Sequence, residues 1–135
     1  MLSQAIARLM EPNAQPNHFA APTPEELLKQ FPLPIRESYA RFAATRDPKA
    51  ADEVVIAIMR DHVPAKRQDS TPPVITDEMT LMGDLGIDSV SIADAVFMLE
   101  EVFGVNIANK ELVRLRTIGD LRGFIRTKLA SLPTA

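Results

Sequence analysis

Between Ser89 and Phe103 the apolar residues Ile92, Val96, Leu99 and Phe103 recur at i, i+4, i+7 and i+11, the spacing that sets four side chains on one face of an α-helix. A half-buried strand needs alternation with a period of two, and no convincing alternation of that kind appears anywhere in the chain. The helical period returns on either side. Asp47 followed by Pro48 is a helix start, and Ala51, Val54, Val55 and Ile58 repeat with helical spacing up to about Asp61. Thr117 with Asp120 caps a last helix whose buried stripe is Ile118, Leu121, Ile125 and Leu129. Gly104 stops the middle helix, and a brief further one is expected from Asn109 to Leu115. The chain therefore reads as all-α: a four-helix domain with a long first connection.

Proline marks where that domain begins. Six of the eleven prolines lie in residues 12–34, and residues 11–23 are mostly small, polar or proline, which reads as a flexible strap. Within this extension Thr23, Pro24 and Glu26 combine an N-cap, a first-turn proline and a capping-box partner, so a short helix through Lys29 is expected. A second extension helix follows Pro34, where Ile35, Tyr39 and Phe42 form an apolar stripe that must pack on the main domain or on a partner. The expected division is a partly helical, partly flexible extension over residues 1–46 and one compact domain over 47–135. Residues 64–80, with Pro64, Pro72 and Pro73 among polar residues, read as connection rather than strand or helix, anchored in the core by Leu81 and Leu85.

Several function classes are disfavoured by composition. There is no cysteine, which rules out disulfides, thiolate metal ligands and a cysteine nucleophile and is compatible with a reducing cytoplasm, the expected location. A formal charge of -3 gives no electrostatic reason for nucleic-acid binding. The apolar start from Met1 to Met10 is broken by Gln4 and Arg8 and followed by Pro12, so neither a signal peptide nor a membrane span is expected. No metal site is expected either. Asp84 and Asp88 lack the ligand ladder of a calcium loop, and the two histidines, His18 and His62, have no helical pairing. His62 falls at a helix end, where a histidine interacts with terminal carbonyls. The serine elbow of hydrolases is absent around Ser89, so no catalytic residue is assigned and the chain is not read as an enzyme.

The chemistry concentrates where the middle helix starts. From Leu81 to Phe103 the sequence runs LMGDLGIDSVSIADAVFMLEEVF, a loop with Gly83 and Gly86, then Asp88-Ser89, then an acid-rich amphipathic helix. A helix N-terminus presents unsatisfied amide donors and the positive end of the helix dipole, so an anion such as a phosphodiester is welcome at Ser89. Taken alone, Asp88 and Ser89 read as helix caps, a role such residues fill routinely.

In full register the segment resembles the acyl carrier protein family, whose signature is Asp-Ser-Leu preceded by a leucine-glycine turn and followed by a helix with paired glutamates. Those positions are Leu85-Gly86, Asp88-Ser89-Val90 and Glu100-Glu101, and the resemblance runs through Phe103-Gly104-Val105 to Thr117-Ile118-Gly119-Asp120, covering roughly residues 48–130. It implies an acyl-carrier-like four-helix bundle, with the helical N-terminal extension added. It also implies that Ser89 is esterified by 4′-phosphopantetheine from coenzyme A, with Asp88 in support. Acyl groups would then be held as thioesters on the arm's thiol.

The same resemblance implies that Val90, Asp94, Phe97 and Glu101, at i, i+4, i+7 and i+11 beside the core stripe, are read by partners. These would be a phosphopantetheinyl transferase and acyl-processing synthases, ligases or acyltransferases. Residues 77–103 hold seven acids and no base, which would steer basic docking patches to this face; a merely solvated acidic helix with Phe97 in the core is the competing reading. Residues 109–128 depart from the family's acidic norm, because Lys110, Arg114, Arg116, Arg122, Arg126 and Lys128 face only Glu111 and Asp120. That reversal points to a specialised lipid or polyketide-type pathway. Two alternatives stay open: an unmodified carrier-like interaction or regulatory module, and a peptidyl carrier protein. Val54, Ile58, Leu81, Leu85, Val96, Leu99, Phe103, Ile118 and Ile125 are expected to surround an acyl-accommodating interior.

Overall fold

The computed structural model describes residues 22–131. The apolar start from Met1 to Met10, most of the proline-rich strap and His18 lie outside these residues. Among the described residues there are seven helices: α1 (Pro24–Leu27), α2 (Leu33–Thr45), α3 (Pro48–Asp61), α4 (Ala65–Gln68), α5 (Ser89–Phe103), α6 (Asn109–Leu112) and α7 (Ile118–Ala130). The fold is all-α. None of these helices is long and apolar enough to cross a membrane.

Each long helix begins and ends where local chemistry directs it. Asp47 accepts a hydrogen bond from Lys49 N at the head of α3, and Pro48 occupies the first turn, where a missing N–H costs nothing. Thr117 and Asp120 form the reciprocal capping box of α7, each side chain accepting from the other's backbone N–H. Gly104 closes α5 in the left-handed conformation at φ 68°, and its N–H returns to the Glu100 carbonyl.

Several boundaries differ from expectation. α1 ends at Leu27 rather than Lys29 because Leu28, 1 % exposed, turns into the core and the chain tightens to an i−3 bond from Lys29 N to Glu26 O. α2 starts one residue before Pro34, since proline is tolerated in a first turn. α6 stops at Leu112; the following turns, Arg114 N to Glu111 O and Leu115 N to Leu112 O, are again i−3 bonds.

Residues 64–80 are not purely connection. α4 makes one helical turn there, and Thr80 forms an isolated antiparallel bridge with Thr117. The pairing extends to Leu81 N on Arg116 O at 2.9 Å and Ile118 N on Met79 O at 2.9 Å, so the end of the connection is hydrogen-bonded to the start of α7.

All nine residues expected in the interior are buried, with Ile87, Met59, Val102 and Leu121 beside them. The extension shares this core. Leu28 and Phe42 belong to the same apolar cluster as the α3, α5 and α7 stripes, and the Phe42 ring meets Phe103 edge-on at 5.3 Å between centroids. Ser38, buried on α2, donates to Glu53 Oε1 on α3 at 2.6 Å, and Arg41 reaches the same oxygen at 3.1 Å. The stripe of Ile35, Tyr39 and Phe42 thus packs on the bundle, and Phe42 lies against the end of α5 remote from Ser89. Fourteen residues of helix separate the two ends, about 21 Å of axial rise.

Candidate functional site

Ser89 is the first residue of α5, and both it and Asp88 are exposed. Asp88 is the N-cap: its Oδ1 accepts from Ser91 N at 2.8 Å. That bond holds the Asp88 carboxyl below the usual carboxylate range, so it is ionised at neutral pH. With the cap supplied by Asp88, the Ser89 hydroxyl is not needed to terminate the helix. It stands in solvent at the positive end of a 15-residue helix.

The loop that delivers Ser89 is braced from several directions. Gly86 sits at φ 70°, a conformation that a side chain disfavours, and a Cβ there would come within 2.7 Å of the Arg67 guanidinium. Arg67, from α4, donates to the carbonyls of Gly83 at 3.3 Å and Asp84 at 2.9 Å. Asp84 in turn accepts from Thr80 N at 2.9 Å. Gly83 serves close approach rather than an unusual φ, since a Cβ would lie 2.8 Å from Thr80 Oγ1. Leu85 and Ile87 plug the loop into the core from between these polar anchors. The Arg67 brace left no sequence signal, because its partners are backbone carbonyls sixteen and seventeen residues away.

Beyond Ser89, the second stripe of α5 faces outward. Val90 is 71 % and Phe97 61 % exposed, Asp94 is exposed, and Glu101 is half-buried. Phe97 is therefore not a core residue. The paired glutamates divide their work, since Glu100 Oε2 accepts from Ile107 N at 2.7 Å and so holds the turn after α5, while Glu101 stays on the outer stripe. Met82 and Val113 are also more than half exposed, which the sequence reading did not single out.

The basic segment resolves into two groups. Arg122 and Arg126 turn inward to Asp52 of α3, Arg122 also pairs with Asp77, and Lys128 pairs with Glu111 at 3.2 Å. Lys110, Arg114 and Arg116 are exposed and make no ion pair among the described residues. His62 caps α3, with Nδ1 2.8 Å from the Ile58 carbonyl, in the expected structural role. A groove of about 800 Å³ opens elsewhere, between the start of α2, the outer face of α3 and Pro73–Ile75; no residue from 76 to 103 lines it.

Comparison with known proteins bears on the same segment. The family model described as a phosphopantetheine attachment site matches residues 66–125. An acyl carrier protein of Thermotoga maritima is 38 % identical over 55 residues, which cover 41 % of this chain and 68 % of that protein. One from an Exiguobacterium species is 38 % identical over 55 residues, covering 41 % of this chain and 70 % of its own length. The meromycolate extension acyl carrier protein of Mycobacterium bovis is also 38 % identical over 55 residues, again 41 % of this chain, but the match spans only about half of that relative, 48 %.

Proposed function

The chain belongs to the acyl carrier protein family, and we propose that the Ser89 hydroxyl is the atom that carries its 4′-phosphopantetheine arm. The family is one of carriers that hold this group covalently. When bound, the group supplies a thiol, which a chain without cysteine lacks, and the thiol holds acyl groups as thioesters. The observation that carries the assignment is the division of labour at the head of α5: Asp88 makes the cap, and Ser89 stands exposed beside it with its hydroxyl spared for modification. The positive helix end favours the phosphodiester at this atom, and the Arg67 brace holds the loop open to a modifying enzyme.

On this reading the protein performs no catalysis of its own and presents its cargo to separate enzymes. Its partners are a phosphopantetheinyl transferase and acyl-processing synthases, ligases or acyltransferases that read Val90, Asp94, Phe97 and Glu101. The exposure of Val90 and Phe97 supports that face, because large apolar side chains set among acids at a surface mark a recognition site. Residues 47–135 are the carrier domain, and residues 1–46 are an extension. A specialised lipid or polyketide-type pathway is favoured by the extension and by Lys110, Arg114 and Arg116, which make no ion pair among the described residues, and a meromycolate carrier stands among the relatives.

The test is incubation with coenzyme A, magnesium and a broad-specificity phosphopantetheinyl transferase, read by intact mass beside Ser89→Ala. A gain of one arm by the wild type and none by the variant is expected. A folded wild type that never takes the arm, even from a transferase of its own source, refutes the assignment in favour of an unmodified interaction module.

A further inference from the structure

Around Ser89 the surface carries two charge signs, not one. The α5 stripe is acidic, through Asp94 and Glu101. α6 is tied through Glu111 to Lys128, which shares a cleft with Glu101, and the residues of α6 and of the turn after it are basic. Lys110 on α6, and Val113 and Arg114 in the turn after it, are exposed, while Leu112 and Leu115 pack against the core. Arg116 is exposed one step further on, and its carbonyl accepts from Leu81 N at 2.9 Å, which sets it beside the loop that ends at Ser89 and beside exposed Met82.

The chain had partners at hand for its other cations in this region: Arg122, Arg126 and Lys128 all found carboxylates. Lys110, Arg114 and Arg116 make no ion pair among the described residues; the side chains of Lys110 and Arg116 act on Glu111 and Asp120, respectively, only through longer-range charge. Val113 at 75 % and Met82 at 59 % add apolar area to the same neighbourhood. Exposed cations that form no ion pair among the described residues, set around exposed apolar side chains, are the make-up of a surface that a partner neutralises.

We propose that Lys110, Arg114 and Arg116, with Val113 and Met82, form a second docking patch beside the α5 stripe, read by an acyl-processing enzyme whose own docking site places carboxylates opposite α6. The proposal rests on the carrier reading of Ser89. It makes the docking surface bipolar, so an enzyme with a purely basic site is attracted to α5 and repelled at α6. This discriminates between partners by charge alone, without a change at Ser89.

The experiment compares the wild-type full chain with Lys110→Glu/Arg114→Glu/Arg116→Glu, both loaded with the arm and checked by intact mass, and both checked for fold by thermal melting. The probe is a condensing synthase chosen because its carrier-docking site is built of lysine and arginine without carboxylates. At low ionic strength the triple variant is expected to show a KM about tenfold lower with kcat unchanged, and the gain is expected to fade at about 0.5 M salt. The neutral variant Lys110→Gln/Arg114→Gln/Arg116→Gln is expected to fall between the two, and it carries the test if the reversal unfolds the protein. A KM unchanged or raised in the folded variants overturns the second patch while leaving Ser89 standing. Failure of the wild type to take the arm refutes the carrier reading, and the patch with it.

Discussion

Asp52→Asn is the perturbation whose cost the structure lets one work out most directly. Asp52 lies on α3 with only 7 % of its surface exposed, and it accepts from Arg122 Nη2 at 2.8 Å and from Arg126 through both carboxylate oxygens. Arg122 also holds Asp77, so this one carboxylate joins α3, α7 and the long connection. Removing one member of a fully buried pair costs about 3–5 kcal/mol, whereas an exposed pair is worth about 0–1 kcal/mol. The side chain of Arg122 is 28 % exposed and that of Arg126 51 %, so solvent screens the cluster part-way, and roughly 2–3 kcal/mol is the expected loss. For a domain of this size that lowers Tm by roughly 10 °C.

The pH dependence separates a charge effect from a packing effect. Burial pushes the Asp52 carboxyl up, but hydrogen bonds and charge from Arg122 and Arg126 together push it further down, so its folded pKa lies below the ordinary carboxylate value. The unfolded chain therefore binds more protons across that interval, and the stabilisation is complete above about pH 4 and is lost as pH falls through the folded value. Urea denaturation of wild type and variant at a series of pH values reads this directly. The gap between them should hold steady from neutrality to about pH 5 and narrow below about pH 4. A gap smaller than about 0.5 kcal/mol at pH 7, or one that persists undiminished in acid, would refute the reasoning.

Phe42→Ala removes a ring that is 4 % exposed and packed edge-on to Phe103, and it should destabilise the whole domain by about 3–5 kcal/mol in one cooperative transition. A separate early transition for the extension, seen by two probes, would show that α2 is not part of the bundle's core. Asp94→Lys combined with Glu101→Lys should leave Tm almost unchanged and raise the KM of a basic-patched synthase for the loaded carrier, most strongly at low salt; equal KM for the two proteins would remove the α5 stripe from the docking surface.

The starts and stops of the long helices were legible in the chain because their causes are local. Asp47-Pro48, Thr117 with Asp120, and Gly104 act within one turn of the backbone, and the apolar period of each helix identifies its buried face without knowledge of what covers it. The same locality explains why Asp88 and Ser89 stood out, although their neighbourhood alone did not say which of them caps the helix.

What had to await the tertiary structure is whatever depends on residues far apart in the chain meeting in space. Arg67 braces Gly83 and Asp84 through backbone carbonyls, which have no sequence identity to recognise. The basic run from Lys110 to Lys128 was visible as a count, but only packing separated the cations that pair with Asp52, Asp77 and Glu111 from the three that make no ion pair among the described residues. Phe97 has the composition of a core residue and sits 61 % exposed, because the 3.6-residue period turns it away from the face that α1 and α3 already fill. Sequence determined which long helices form and which serine opens the middle one. Long-range packing decided which charges and rings remain for a partner to read, since burial is a property of the assembled chain and not of any one segment.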